Sequence, residues 1–114
     1  MPAPTISSAD AGTYTPFAVN GDRDPFGALH LLDAGAPTRL TFGMWRCPPV
    51  TVEVTPRSDE GVFVIGGEVL LEIDGGPAAR LTAGDLVLIL HGSRCRYTVV
   101  EDITAVFASA PAAD

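Results

Sequence analysis

Two stretches near the middle of the chain share one plan and leave it little choice of fold. Asp59 to Gly76 (DEGVFVIGGEVLLEIDGG) and Leu81 to Glu101 (LTAGDLVLILHGSRCRYTVVE) each read as strand, glycine-bearing turn, strand. Back to back, such units form the core of a small β-barrel whose mouth can hold a ligand. The segments around them agree. Val50, Val52 and Val54 alternate with Thr51, Glu53 and Thr55, the period-2 signature of a strand with one buried face. Pro48-Pro49 separates that strand from RLTFGMWRC, because proline cannot donate to a central ladder. GVFVI and EVLLEI are read as two strands interrupted by Gly66-Gly67, and Asp74-Gly75-Gly76-Pro77 as a hairpin turn. LVLIL, CRYTVV and ITAVFAS follow as further strands, and no long window has helical periodicity. Roughly eight strands at this spacing predict an all-β sandwich or barrel.

At 114 residues the chain has room for one domain, with a core large enough to need neither disulfides nor structural metal. The expected organisation is a flexible N-terminal arm over residues 1–15, one domain over 16–110 and a frayed tail at 111–114. Within the domain, ALHLL (28–32) stands among turn signals and reads equally as an edge strand or as one turn of helix. Net charge is −7, from 14 acidic residues against seven arginines and no lysine, which opposes binding to nucleic acid or to anionic membrane. The opening MPAPTISSADAGTYTP lacks the apolar run of a secretory signal, so a cytoplasmic location with Cys47 and Cys95 as reduced thiols is the expectation.

Several of these residues together resemble a cupin, a small jelly-roll barrel. Glu60 and Gly67, with six residues between them, match the end of the first cupin motif. Gly84-Asp85 and Gly92 match the second, with Leu90 where that motif usually has proline. GMWRCPP ahead of DEGVFVIGGEV, and Tyr97 five residues after Gly92, resemble the DUF861 or Cupin_3 subgroup, over about Arg39 to Ala108. The resemblance implies a single-domain jelly roll of about eight or more strands and a homodimer. Metal-binding cupins carry a His-x-His before the glutamate and a third histidine after the turn; by spacing these positions here are Val54, Pro56 and Cys95. Valine and proline have no donor side-chain atoms, and Glu60 with Cys95 gives two ligands where a transition metal needs three or four. No metal and no cofactor are expected.

Glu60 is the leading candidate. If Val54 faces inward, the strand period turns Glu60, Val62 and Val64 inward too. A carboxylate among valines is desolvated, which raises its pKa toward acid–base use. The alternative is a carboxylate paired with an arginine or with backbone amides that pins the loop. Cys95 and Tyr97 share a strand face; Cys95 is a nucleophile only with a thiolate-stabilising partner, and otherwise a small buried hydrophobe. His91 stands at the rim before Gly92, either as a proton shuttle or as a solvated turn residue. Trp45 either stacks on a ligand or fills the core. The expected pocket comprises Trp45, Val54, Pro56, Glu60, Val62, Cys95 and Tyr97. Two functions are open: a metal-free pocket that binds a small organic molecule, as sensor, carrier or auxiliary protein, or a small-metabolite enzyme (isomerase, cyclase, lyase or hydrolase type) with Glu60 as acid or base, helped by His91 or by Tyr97.

Overall fold

The computed structural model describes residues 4–8, 12–33, 35 and 37–112, and among them every regular element is a strand. The eight strands are β1 (Thr15–Val19), β2 (Asp24–Leu31), β3 (Thr41–Cys47), β4 (Val50–Val54), β5 (Ser58–Ile73), β6 (Ala79–Thr82), β7 (Leu86–Ile89) and β8 (Cys95–Pro111). All pair antiparallel. The first four residues of ALHLL are strand rather than helix, and as the end of β2 they lie between β1 and β3 instead of at an edge. The sequence predicts a break at Gly66-Gly67 and another between CRYTVV and ITAVFAS. Instead β5 and β8 run unbroken for 16 and 17 residues, so the strand total is reached with β1 and β2.

These two long strands organise the fold. They pair with each other from Ser58↔Pro111 to Ile73↔Cys95, with register shifts between Val64 and Val69. Gly67 sits at that bend with φ +87, and a Cβ there would collide with the Asp102 carbonyl, so only glycine lets the ladder turn this closely. Below the bend β5 pairs with β7 and β8 with β3; above it β5 pairs with β6 and β8 with β4. One layer is therefore β1-β2-β3-β8-β5-β7 and the other β4-β8-β5-β6. The layers face each other: Tyr97 of the second lies 5.1 Å from Phe26 and 6.2 Å from Trp45 of the first, centroid to centroid. Between them pack Val52, Val64, Val69, Leu71, Ile89, Val99, Ile103 and Ala105. Each large apolar side chain so buried contributes about 1.5–3 kcal/mol by removal from water. The β5–β6 hairpin closes where expected, with Asp74 (φ 52) and Gly75 (φ 74) as the central pair of a tight turn and Gly76 N donating to the Ile73 carbonyl at 2.9 Å.

The described part of the arm lies on the outer face of the first layer. Met44 alternates with the core residue Trp45 and so points outward, yet it is buried, because Ser7 and Ser8 line one depression with His30, Phe42, Met44 and Val106. His30 anchors the segment: Nδ1 donates to the Thr13 carbonyl at 3.2 Å, and Nε2 meets the Ser7 hydroxyl at 2.8 Å. Residues 1–3 and 9–11 of the expected arm, and 113–114 of the expected tail, lie outside the described residues.

Candidate functional site

Inside the first layer, against the facing sheet, a cavity of about 90 Å³ opens between β1, β2, β3, β5 and β8. Phe17, Phe26, Leu29, Trp45 and Phe107 form its walls together with Val62, while Glu60 and Tyr97 contribute its polar atoms. Strand alternation places them. Along β5, Glu60, Val62 and Val64 point inward and Phe63 and Ile65 point outward to solvent. Along β3, Trp45 points inward and Arg46 outward, where its guanidinium covers the Tyr14 ring at 4.2 Å. Trp45 is locked by its own polar edge, since Nε1 donates to the Phe26 carbonyl at 2.9 Å.

Glu60 has no hydrogen bond or ion pair to any described residue, which removes the reading of a carboxylate pinning a loop. Burial holds its pKa above the ordinary carboxylate value, because the charged form loses water and gains nothing in exchange. The Tyr97 hydroxyl likewise has no hydrogen bond to any described residue, although its ring packs on Phe26 and Trp45. Its hydroxyl is pushed well above the ordinary tyrosine range by burial, then by the charge of Glu60, with neighbouring Cys95 a smaller cause, so it stays protonated and can donate. One carboxyl and one phenol thus converge on an aromatic space without spending their hydrogen bonds on the protein.

The structure brings together Trp45, Glu60, Val62 and Tyr97 of the expected pocket, and leaves the others outside its wall. Val54 and Cys95 are register partners on β4 and β8, and they line a separate polar groove of about 460 Å³ shared with Glu53, Glu72, Arg94 and Arg96. Cys95 is buried; burial, Glu60 and Asp74 lift its thiol to about 11, so it is a core hydrophobe and no activated nucleophile. Cys47 is also buried and free, raised to about 11 by burial and by Asp102. Pro56 lies outside the cavity, and its carbonyl accepts a 2.9 Å bond from Gly92 N. His91 is turned away from the cavity. Its Nδ1 and backbone N both bond Asp59 Oδ1, at 2.9 and 3.0 Å, and Asp59 alternates with Glu60 onto the opposite face. These hydrogen bonds lower the Asp59 pKa.

Phe17, Phe26, Leu29 and Phe107 were missed by sequence reasoning. Phe107 carried a usable signal, since it follows Ile103 and Ala105 at period 2 on β8. The β1 and β2 residues did not, because Gly27 (φ +78) breaks the alternation and puts Phe26 and Leu29 on one face.

The EutQ-like cupin domain model matches residues 35–106, most of the strands that frame the cavity. The chain belongs to the EutQ-like cupin family. Solved structures agree on the fold of this cupin. It is similar to EutQ of Clostridium difficile (24% identity, 74% of this chain and 68% of that one, TM-score 0.64). It is also similar to a DUF861 family protein of Thermotoga maritima (23% identity, 58% and 75%, TM-score 0.55). A third likeness is to ectoine synthase from P. lautus (15% identity, 75% and 64%, TM-score 0.67). No curated protein matches the sequence. Among the described residues no helix is long and apolar enough to cross a membrane.

Metal-binding cupins invite a test of the donor set. No group of three or more His, Cys, Asp or Glu converges among the described residues. The cavity offers one carboxylate and a phenol held in its protonated form. That set does not fit a transition metal, which needs three or four N, O or S donors around one point.

Proposed function

We propose that this cupin binds a small organic molecule at the Glu60–Tyr97 cavity and serves as a sensor, carrier or auxiliary protein. The observation that carries the reading is the pair of polar groups, unpartnered by protein, facing one aromatic cavity. Ligand sites combine apolar walls with a few convergent polar groups in this way. The size is informative. An interior cavity of about 150 Å³ accepts benzene, so about 90 Å³ takes only a group smaller than that ring, with the rest of the ligand outside. Titration of small organic compounds, followed by tryptophan fluorescence at the single Trp45, tests it; a signal that no compound moves and that is unchanged in Glu60→Gln sinks the reading.

A second reading has its own support in the elevated Glu60 pKa, which suits general acid–base chemistry on a small metabolite. The likeness to ectoine synthase lends it no weight beyond fold, because one barrel hosts many functions. On this reading Glu60→Gln lowers turnover by roughly 10²- to 10⁴-fold with the fold intact. On the binding reading there is no rate to lose.

The proposal includes a second copy of the chain as partner. Leu86 and Leu88, 76% and 72% exposed, stand on the outer sheet face with Phe63, Ile65 and Leu90. An apolar face of this kind is covered by an isologous contact across a two-fold. The acidic surface weighs against nucleic acid and anionic membrane as partners. Reduced buried thiols suit a cytoplasmic setting.

A further inference from the structure

We infer that the group seated in the cavity is a small organic cation, an ammonium or short alkylammonium, held between the Glu60 carboxylate and the aromatic walls. This deepens the binding reading and rests on it. The first support is charge. Among the described residues Glu60 is the one formally charged side chain in the lining, and no arginine or histidine shares it. Arg46, which follows Trp45 directly, is turned to the opposite face over Tyr14. An anion would meet an uncompensated carboxylate, and a hydrocarbon would leave that charge buried without a partner.

The second support is the wall itself. Phe17, Phe26, Trp45, Tyr97 and Phe107 are aromatic, and the ring pairs are tilted by 39° to 69°. Such a cluster presents π faces as well as edges. The negative face of a ring attracts a cation within about 6 Å, and the attraction grows when the cation is desolvated, the principle behind aromatic cages for ammonium groups. The third support is hydrogen bonding. Trp45 Nε1 is consumed by the Phe26 carbonyl, so the Glu60 carboxylate and the Tyr97 oxygen are what remain, and both can accept N–H bonds. A cavity of about 90 Å³ admits a charged head of a few heavy atoms on a chain that leads out.

Binding is then linked to protonation. A cation needs Glu60 ionised, so affinity climbs with pH through the raised Glu60 value and levels off above it. The other titratable groups that act on Glu60, Cys95 and Tyr97 of β8, stay neutral there because both are shifted upward. Its cross-strand neighbours, Ile89 of β7 and Ser109 of β8, do not titrate.

The test uses the full chain and four probes at matched ionic strength: methylammonium chloride, ethylammonium chloride, ethanol and sodium acetate. NMR titration reads the Trp45 indole and Tyr97 ring signals. The expected result is saturable shifts with the two ammonium salts, at least tenfold tighter than ethanol, none with acetate, and loss of the tenfold preference in Glu60→Gln. Tyr97→Phe should keep the preference. Ethanol or acetate binding as tightly as the ammonium ions, or a preference that survives Glu60→Gln, overturns the cation while leaving a binding site in place. Silence from all four probes overturns the binding site as well.

Discussion

Trp45 is tied to Phe26 at two points. Its Nε1 donates a 2.9 Å hydrogen bond to the Phe26 carbonyl, and the two ring centroids are 4.8 Å apart with planes tilted by 49°. The contact joins β2 to β3 just before Gly27, where β2 leaves regular alternation. Trp45→Phe keeps an aromatic wall but strips a buried carbonyl of its donor. An orphaned acceptor costs about 1–3 kcal/mol, and the lost ring volume adds to it. Urea unfolding should show a loss of about 2–4 kcal/mol; a change under about 0.5 kcal/mol would mean that the carbonyl finds water instead.

Glu60 makes stability fall as pH rises. The folded chain binds the Glu60 proton more tightly than the unfolded chain, because burial lifts its pKa above the ordinary 4.5. Its contribution is complete below that value and is lost as pH climbs through the raised one. Asp59 acts in the opposite sense. His91 pulls it below the ordinary 3.8, so its contribution is in place above that value and disappears in stronger acid. Thermal midpoints across the acid range should therefore rise with pH first and decline later. Glu60→Gln should flatten the later decline alone, and a variant that still declines like the wild type would assign that proton elsewhere.

Much of this arrangement is legible residue by residue. Val50, Val52 and Val54 announce β4, Glu60, Val62 and Val64 announce the inner face of β5, and Asp74-Gly75 announces its hairpin. What local reading loses is context. Gly66-Gly67 looks like a turn because a glycine pair usually ends a strand, but the unbroken partner β8 carries the ladder past it and leaves a bend. Val54 and Cys95 do turn inward as their period demands. They belong to the β4 end of the barrel, however, and a period of two fixes a face without fixing a depth. Phe17 and Phe26 enter through a bulged hairpin that no alternation rule describes.

Gly67→Ala should be among the most damaging single-methyl changes in the chain. The backbone is left-handed there (φ +87), and the new Cβ would collide with the Asp102 carbonyl, which is main chain of the continuous strand β8 and not the end of a flexible side chain. Unfolding by denaturant should show a loss of at least about 2 kcal/mol. Gly61→Ala supplies the contrast on the same strand, since nothing lies within 4 Å of the added methyl and φ is not positive. It should change stability by no more than about 0.5 kcal/mol. Equal effects would show that the bend at Gly67 is soft.

The outer face of the first layer sets up a test of assembly. Phe63 is register partner to Leu86, and Gly61 to Leu88, so these residues and Ile65 stand on one side of two paired strands. Leu86 and Leu88 are about equally exposed there. Ser7 and Ser8 of the arm line the adjoining depression at Met44, and no residue of β7 is part of that lining among the described residues. A charge here touches no core residue, so Leu88→Lys should leave the unfolding midpoint nearly unchanged while introducing like charges facing each other across a two-fold. Sedimentation velocity should then find the wild type dimeric at micromolar concentration and the variant monomeric. Leu31→Lys, another exposed leucine but on β2, should leave the dimer intact. A wild type that sediments as a monomer at every concentration removes the second copy from the proposal, and a dimer indifferent to Leu88→Lys moves the contact to another face.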